Sequence, residues 1–304
     1  MVSIKESVLS GYIKLLRPRE WIKNIFLFIP LFFAGKAFAP SYLFDLAGGF
    51  FCFSLVASGI YILNDIRDLN SDRNHPVKRN RPLASGLIPK NPAIVIMILL
   101  WVLGLTFGYL LKEKFGFILS IYWALNLAYS FGLKNISILD ILMVSAGFVL
   151  RVKAGGAITS IYITTWLIIM IFLLSLIMAI AKRRDDFLIK LDSGIEIRKA
   201  GKGYNLDFLN TMLGLISGIT IMAYLMYTIS PEVMARHNSY RLYYTCIFVI
   251  AGILRYLQIT FVEKESGSPT QVLYKDRFIQ ICILLWVLSF YFILYAPDIQ
   301  LFPE

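Results

Sequence analysis

Charged residues are scarce in this sequence: Asp, Glu, Lys and Arg make up 16% of its 304 positions, against about 25% in an ordinary soluble domain. Apolar residues make up 58%, and the mean hydropathy is +0.69. The three cysteines lie inside apolar runs and lack the spacing of a metal site. A soluble enzyme, a secreted disulfide scaffold and a disordered chain are therefore excluded, and the composition indicates an all-α polytopic membrane protein.

The apolar residues form long runs, each near the roughly 20 residues that a helix needs to cross a bilayer core. Two loops between them, 67–91 and 182–207, are long and charged. We predict one integral-membrane domain over residues 1–304, a bundle of about nine helices, since helices satisfy their own backbone in lipid. Asp140, Arg151 and Lys153 add charge inside the fifth span, where pairing or cavity lining is expected. The predicted spans are 21–38, 46–66, 92–111, 115–132, 138–157, 162–181, 208–229, 241–261 and 278–296.

Lys and Arg are distributed unevenly between the two faces of this bundle. The face with the N-terminus and both long loops carries about three times as many as the other, and the positive-inside rule places it in the cytoplasm. We therefore predict a multi-pass protein of the cell membrane whose N-terminus and long loops are cytoplasmic. The net charge of +11 is explained by this excess of Lys and Arg on one face and by contact with the lipid bilayer or with anionic substrates. No nucleic acid is expected as a partner.

Three aspartates follow the second predicted span. Asp65, Asp68 and Asp72 are spaced by three and four residues, so a helix would place them on one face at the membrane edge. Carboxylates so close repel one another unless a cation lies among them, and their hard oxygens suit Mg²⁺, which shares its ligands with phosphates. Ionisable groups at a membrane edge are usually functional. A solvated acidic helix end is the competing interpretation.

A basic loop follows these aspartates directly. Lys78, Arg79 and Arg81 lie within its first residues. Lys and Arg bind phosphate oxygens that a metal leaves uncompensated, so acid followed by base is expected of a metal-bound diphosphate site. The pattern favours such a site over a solvated helix end.

These residues resemble a known family. The resemblance is to the first motif of the UbiA-type intramembrane prenyltransferase superfamily, in Asn64-Asp65-x-x-Asp68-x-x-x-Asp72 and Arg81-Pro82-Leu83-x-Ser85-Gly86. It implies a helical bundle around a lipid-accessible cavity, with Mg²⁺ and a diphosphate at the cytoplasmic mouth. It also implies that Asn64 orients a ligand.

The second long loop departs from that family's pattern. Most members carry a second aspartate-rich motif there, whereas this chain has Lys182-Arg183-Arg184-Asp185-Asp186. Three cations before two acids predict that Lys and Arg bind part of the anion. Asp185 and Asp186 are further candidate metal ligands, and an inside-positive helix end is the alternative.

Two more elements lie at the same membrane face. Arg17, Lys23 and Asn24 surround the start of the first span, and Tyr129 and Lys134 lie near the end of the fourth. We predict that Lys23, with Arg17 or Lys134, holds the phosphate of a lipid substrate, although a snorkelling lysine would have the same position. Together with the two loop motifs, these elements resemble the decaprenyl-phosphate phosphoribosyltransferase branch of the superfamily.

The resemblance to that branch implies a Mg²⁺-dependent glycosyltransferase of cell-envelope biogenesis. The implied reaction moves 5-phosphoribose from phosphoribosyl pyrophosphate to a polyprenyl phosphate lipid and releases pyrophosphate, with Lys182, Arg183 and Arg184 binding the additional phosphate. One alternative is a prenyl diphosphate-dependent prenyltransferase acting on an aromatic or quinone-precursor ring. A second is a membrane transporter, against which the lack of a strong internal repeat argues. The sequence leaves the oligomeric state open, a homo-oligomer included.

Overall fold

The computed structural model describes residues 8–37, 39–74, 78–193, 201, 203–237, 239–263, 272 and 275–295. Within these ranges every regular element is a helix. Residues 75–77 of the first predicted loop, and 194–200 and 202 of the second, lie outside the described ranges.

The helices are numbered along the chain. The α-helices are α1 (Val8–Leu16), α2 (Ile29–Phe33), α3 (Pro40–Arg67), α4 (Leu69–Arg73), α5 (Lys90–Leu111), α6 (Glu113–Phe131), α7 (Leu139–Thr159), α8 (Thr165–Ser193), α9 (Leu206–Thr228), α10 (Pro231–His237), α11 (Cys246–Gln258) and α12 (Arg277–Tyr295). Shorter elements are the 3₁₀ helices Pro18–Phe28, Lys78–Asn80, Leu133–Asn135 and Arg241–Thr245, and the π-helix Ile259–Glu263.

Six helical stretches in the described ranges are long and apolar enough to cross a bilayer. They are α3, α5, α7, α8 as far as Ile189, α9, and the stretch Arg241–Glu263 that contains α11. Helices α6 and α12 occupy the fourth and ninth predicted spans but are not among these six. The all-helical, multi-pass membrane fold is confirmed, and the count of nine spans is not.

The first predicted span, 21–38, is not one continuous α-helix. A 3₁₀ helix, Pro18–Phe28, is followed by the short α2. Pro30 removes a backbone donor, and its ring clashes with the carbonyl four residues earlier, which breaks a regular helix at this point. Apolar composition alone did not distinguish this interrupted segment from a spanning helix.

Helix α8 continues well beyond residue 181, the predicted end of the sixth span. It ends at Ser193, so the basic run after residue 181 is helical rather than part of a loop. Lys182 is exposed on this helix and Asp185 is buried. The extension is consistent with the good helix propensity of Lys and Arg.

The described chain forms two compact units, the first made of Met1–Lys134 with Gly147–Ile163. Here α3 packs along α5, α6 and the long 3₁₀ helix, around buried Leu27 and Phe53. A Cβ atom on Gly155 would lie 1.9 Å from the carbonyl oxygen of Leu27. A glycine is therefore required where α7 approaches the backbone of the 3₁₀ helix.

The second unit consists of Asn135–Ala146 with Thr164–Glu304. Helix α8 packs along α9, and α11 packs along α12. Its apolar core includes Ile180, Leu213 and Ile279. The prediction of a single domain over the whole chain stays a prediction.

Candidate active site

Two of the three motif aspartates share one cation. Nη1 of Arg81 donates to Oδ1 of Asp65 at 3.0 Å and to Oδ2 of Asp72 at 2.6 Å. Each aspartate is 2% exposed, whereas the Arg81 side chain is 29% exposed. Two buried carboxylates are tolerated at such close range because the guanidinium lies between them.

The loop after the 3₁₀ turn Lys78–Asn80 presents Arg81 to these aspartates. Leu83 and Ile88 are buried in an apolar cluster with residues of α1 and α3. The amide of Ile88 donates to the carbonyl of Pro82 at 3.0 Å, and Gly86 has a φ of +78°, which a residue without Cβ adopts without strain. The apolar side of this compact turn therefore anchors the backbone from which the guanidinium extends.

The third aspartate has a different partner. Asp68 lies at the junction of α3 and α4, and its two oxygens accept from Nζ of Lys134 at 2.7 and 2.9 Å. Its side chain is 39% exposed. The structure thus brings Asp65 and Asp72 together at Arg81 and leaves Asp68 with the lysine that follows α6.

The N-terminal motif braces α3. Arg17, whose backbone is left-handed with a φ of 53°, donates to Asp65 and places its guanidinium carbon 5.2 Å from the centroid of the Tyr61 ring. One turn further along the chain, Nε1 of Trp21 donates to Oγ of Ser58 at 3.0 Å. The 3₁₀ helix is therefore fixed along the helix that carries the acidic motif, and Arg17 gives Asp65 a second cation.

Lys23 and Asn24, predicted near a lipid phosphate, both have protein partners. Lys23 donates to Glu20 at 2.5 Å, and both side chains are partly exposed. Asn24 is buried, donates to Oγ of Ser54 at 2.9 Å and accepts from Nε of Arg151 at 2.9 Å. Lys23 is therefore the more accessible of the two for a lipid headgroup.

The remaining predicted residues of the first unit shape the turns around the acidic motif. The carbonyl of Asn64 accepts the amide of Asp68 at 2.9 Å. Lys78 and Arg79 lie in the 3₁₀ turn that precedes the loop carrying Arg81, and Arg79 is exposed. Tyr129 is half-buried near the end of α6.

The second unit contains its own buried charge cluster. Asp140, in the first turn of α7, accepts from Nε of Arg183 and, at 2.6 Å, from the hydroxyl of Tyr204. The same hydroxyl accepts from the amide of Ile138 at 2.5 Å, and Ile138 has a φ of 70°, which is unusual for a β-branched residue. Burial, and then the hydrogen bond to Asp140, raise the pKa of Tyr204, so its hydroxyl stays a neutral donor.

The basic run on α8 is largely buried. Arg183 is 4% exposed, and its Nη1 also contacts Oδ2 of Asp186 at 3.3 Å. Arg184 is equally buried, and its Nε donates to Oδ1 of Asn210 at 2.8 Å. Nη1 of Arg184 has no hydrogen-bond partner in the part of the chain that the structure describes.

Comparison with known proteins identifies the family. The model of the UbiA prenyltransferase family matches residues 25–282. The chain belongs to the UbiA prenyltransferase family. Within this family, the decaprenyl-phosphate phosphoribosyltransferase of Mycolicibacterium smegmatis is 34% identical over 294 residues, 93% of this chain and 92% of the relative. The Corynebacterium glutamicum protein of the same name is 31% identical, over 93% of this chain and 86% of the relative.

Solved structures of UbiA homologs share the fold. One from Archaeoglobus fulgidus, bound to GPP and Mg²⁺, has a TM-score of 0.69 and 20% identity, covering 94% of this chain and 99% of that chain. One from Aeropyrum pernix K1 has a TM-score of 0.65 and 13% identity, covering 88% and 98%. At these identities the likeness establishes the UbiA fold.

The first unit's carboxylates suit the divalent ion bound by the A. fulgidus UbiA homolog. Within the described residues, no group of three or more His, Cys, Asp or Glu side chains is arranged to hold a metal ion. Asp65 and Asp72 nevertheless already share one cation, the Arg81 guanidinium, and hard carboxylate oxygens are the donors that Mg²⁺ prefers. The chemistry of these donors therefore fits Mg²⁺, without a preformed arrangement of three ligands among the described residues.

Some residues of these clusters carry no sequence signal. Tyr204 and Asn210 belong to no motif, and their partners are distant in sequence. Arg151 does stand out as a charge inside an apolar span, and it bonds Asn24 and, at 2.9 Å, the hydroxyl of Tyr122. A charge inside a membrane span predicts that the side chain has polar partners, but it does not identify the neutral residues that supply them.

Proposed function

We propose that this chain transfers 5-phosphoribose from phosphoribosyl pyrophosphate to a polyprenyl monophosphate of the decaprenyl type and releases pyrophosphate. The observation that carries the proposal is its 31–34% identity to decaprenyl-phosphate phosphoribosyltransferases over nearly the full length of both chains. The basic side chains beside the acidic motif support it, because this donor carries a diphosphate and a separate 5-phosphate.

Asp65, Asp68 and Asp72 are the residues that would hold Mg²⁺ in the first unit, with Asn64 orienting a ligand. The ion, when bound, neutralises charge that develops on the leaving pyrophosphate. The outer oxygens of the pyrophosphate are bound by basic side chains of the 3₁₀ turn Lys78–Asn80 and of the loop that follows it. These side chains are Lys78, Arg79 and Arg81.

The chemical step needs little acid–base assistance. The bond between ribose C1 and the pyrophosphate oxygen breaks with its electron pair leaving on the pyrophosphate, and a phosphate oxygen of the lipid forms the new bond to C1. The acceptor is already ionised at neutral pH, because the second pKa of a phosphate monoester is about 6. Lys23, with Arg17 or Lys134, holds this phosphate, so catalysis consists of positioning and charge neutralisation.

In the second unit we propose a phosphate-binding role for the basic run of α8. Lys182 is exposed, and Nη1 of Arg184, which has no hydrogen-bond partner among the described residues, can donate to a phosphate oxygen. Arg183, held by Asp140 and Asp186, contributes its charge from a fixed position. Asp185 and Asp186 remain candidate metal ligands in this proposal.

The proposed reaction takes place at the cytoplasmic face of the membrane. The excess of Lys and Arg on the face with the acidic motif supports this orientation. Phosphoribosyl pyrophosphate and Mg²⁺ are both available in the cytoplasm.

A direct assay tests the proposed reaction. Purified protein in detergent receives a polyprenyl monophosphate, Mg²⁺ and phosphoribosyl pyrophosphate labelled in the ribose, and the expected product is a labelled lipid. A second reaction with a prenyl diphosphate and 4-hydroxybenzoate is expected to give no product. Prenylation of the ring without ribosyl transfer would replace this proposal with the aromatic prenyltransferase alternative.

A further inference from the structure

The carboxylates of the acidic motif are neutralised by basic side chains of the chain itself. Arg81 bridges Asp65 and Asp72 through one nitrogen, while Lys134 contacts both oxygens of Asp68. This pairing explains how the protein keeps two of the carboxylates at 2% exposure. It also means that one oxygen of Asp65, one of Asp72 and both of Asp68, all suited to a metal, are already engaged.

Arg81 and a divalent ion would compete for the same two oxygens. Nη1 of Arg81 lies 3.0 Å from Oδ1 of Asp65 and 2.6 Å from Oδ2 of Asp72. A magnesium ion binds carboxylate oxygens at about 2.0–2.1 Å, and its charge would repel a guanidinium that stayed between them. Asp65 and Asp72 can therefore share Mg²⁺ through these two oxygens only after the Arg81 guanidinium has moved away.

The loop allows the side chain of Arg81 to move while its backbone stays in place. Its side chain is 29% exposed, so the guanidinium has a path away from the buried carboxylates. Leu83 and Ile88 anchor the turn in an apolar cluster, at 3% and 1% exposure. A guanidinium released next to the metal site is well suited to a diphosphate, because its fork of donors matches phosphate oxygens.

We propose that Arg81 is an internal counterion that exchanges with the metal. Together with Arg17, which also pairs with Asp65, it neutralises Asp65 and Asp72 in the metal-free protein, and it transfers to diphosphate oxygens when Mg²⁺ and the diphosphate bind together. The inference rests on the proposed function only in taking the bound anion to be a diphosphate.

The exchange predicts that metal and diphosphate bind cooperatively. Mg²⁺ alone must displace a cation that then has no anion, whereas Mg²⁺ with a diphosphate supplies that cation with a new partner. Removing the guanidinium should therefore raise the affinity for Mg²⁺ alone and lower the affinity for a diphosphate in the presence of Mg²⁺. Loss of a side chain that only binds phosphate would lower the second affinity without raising the first.

Calorimetric titration of the full-length protein in detergent tests this sign difference. The probes are Mg²⁺ alone, and inorganic pyrophosphate in the presence of saturating Mg²⁺. Arg81→Gln is expected to bind Mg²⁺ alone about tenfold more tightly than the wild type and pyrophosphate about tenfold more weakly. Arg79→Gln, which removes the same charge from an exposed position in the same region, is the matched control, and its Mg²⁺ affinity should change by less than about threefold.

A second measurement uses the wild-type protein and needs no variant. Phenylglyoxal modifies accessible arginines, and peptide mass spectrometry separates Arg79 from Arg81. Mg²⁺ alone at saturating concentration should accelerate modification of Arg81 and leave Arg79 unchanged, and added pyrophosphate should then protect Arg81.

Either of two results would overturn the exchange. The first is that Arg81→Gln binds Mg²⁺ no more tightly than Arg79→Gln. The second is that Mg²⁺ does not change the rate at which phenylglyoxal modifies Arg81. Failure of the proposed function has a different outcome. In that case the opposite shifts in Mg²⁺ and pyrophosphate affinity are seen, but no labelled lipid forms from the ribosyl donor.

Discussion

Asp72 combines a negative charge with almost complete burial, and its partner is the same nitrogen that binds Asp65. Asp72→Asn should lower the rate of labelled-lipid formation by roughly 100-fold or more, because the proposed metal site would lose one of its charged ligands at the leaving group. Thermal unfolding should show a folded protein, since the Asn oxygen still accepts from Arg81. Asp45→Asn, at an exposed position near the start of α3, is the control. Equal losses of rate in the Asp72→Asn and Asp45→Asn proteins would mean that the carboxylate of Asp72 has no specific role in the reaction.

Tyr204 satisfies two buried groups with one hydroxyl. Tyr204→Phe leaves Oδ1 of Asp140 and the amide of Ile138 without this partner, so the protein should lose about 1–3 kcal/mol of stability. The melting temperature in detergent measures the loss. Tyr240→Phe, at a position 77% exposed in the same unit, should melt with the wild type. A Tyr204→Phe protein that also melted with the wild type would show that water replaces the hydroxyl at no cost.

At the scale of elements, α7 and the long 3₁₀ helix approach so closely that only glycine fits between them. A Cβ at Gly155 would lie 1.9 Å from the carbonyl of Leu27, so Gly155→Ala should destabilise the protein by about 1–3 kcal/mol through backbone displacement. Gly214→Ala in α9, where a Cβ would meet nothing within 4 Å, is the matched control. It should change stability little or raise it by up to about 1 kcal/mol. Comparable melting temperatures for both variants would contradict the close approach.

The start of α12 is tied to α11 by an ion pair. Nε and Nη2 of Arg255 donate to Oδ2 of Asp276 at 3.1 and 2.8 Å, and these hydrogen bonds hold the pKa of Asp276 below its usual value. A lowered folded-state pKa contributes stability that is complete above the unfolded-state pKa of about 3.9 and disappears as the pH falls through the folded-state pKa.

Asp276→Asn should therefore lower the melting temperature by a constant amount between pH 7 and pH 5. Below about pH 4 the difference from the wild type should shrink, because the wild-type carboxylate becomes protonated and loses the same interaction. Asp207→Asn, which removes an exposed carboxylate in the same unit, provides the comparison. A difference that stayed constant down to pH 3 would show that the ion pair does not set this part of the acid stability.

At the scale of the whole molecule, the distribution of Lys and Arg predicts sidedness. Cysteines introduced at Ser71 and Ser160, both exposed, should react with an impermeant maleimide from opposite sides of the membrane in intact cells and inverted vesicles. Ser71 should be labelled from the cytoplasm. The native chain is the background control, because Cys52 and Cys282 are buried and Cys246 is half-buried. Labelling of both positions from one side would exclude the predicted topology.

The sequence predicted features that depend on composition and local spacing. The all-helical membrane fold and the family are confirmed, because long apolar runs and a dense acidic motif are both local signals. The partners of Asp68 and Arg183 were out of reach, since Lys134 and Asp140 lie 66 and 43 residues away along the chain. Hydrophobicity also cannot distinguish a 3₁₀ helix from an α-helix, so the first predicted span was wrong in its geometry.

The brace between the long 3₁₀ helix and α3 joins two different helical periods. Trp21 and Asn24 are three residues apart and contact Ser58 and Ser54, which are four residues apart. Three residues of a 3₁₀ helix rise about 6 Å, and four residues of an α-helix also rise about 6 Å, so the two ladders stay in register as the chains run antiparallel. An α-helical segment in place of the 3₁₀ helix would advance only about 4.5 Å between the same side chains and lose one of the two contacts. The spacings W-x-x-N and S-x-x-x-S therefore form a matched pair, and finding both in another sequence of the family would indicate the same unusual helix at its N-terminus.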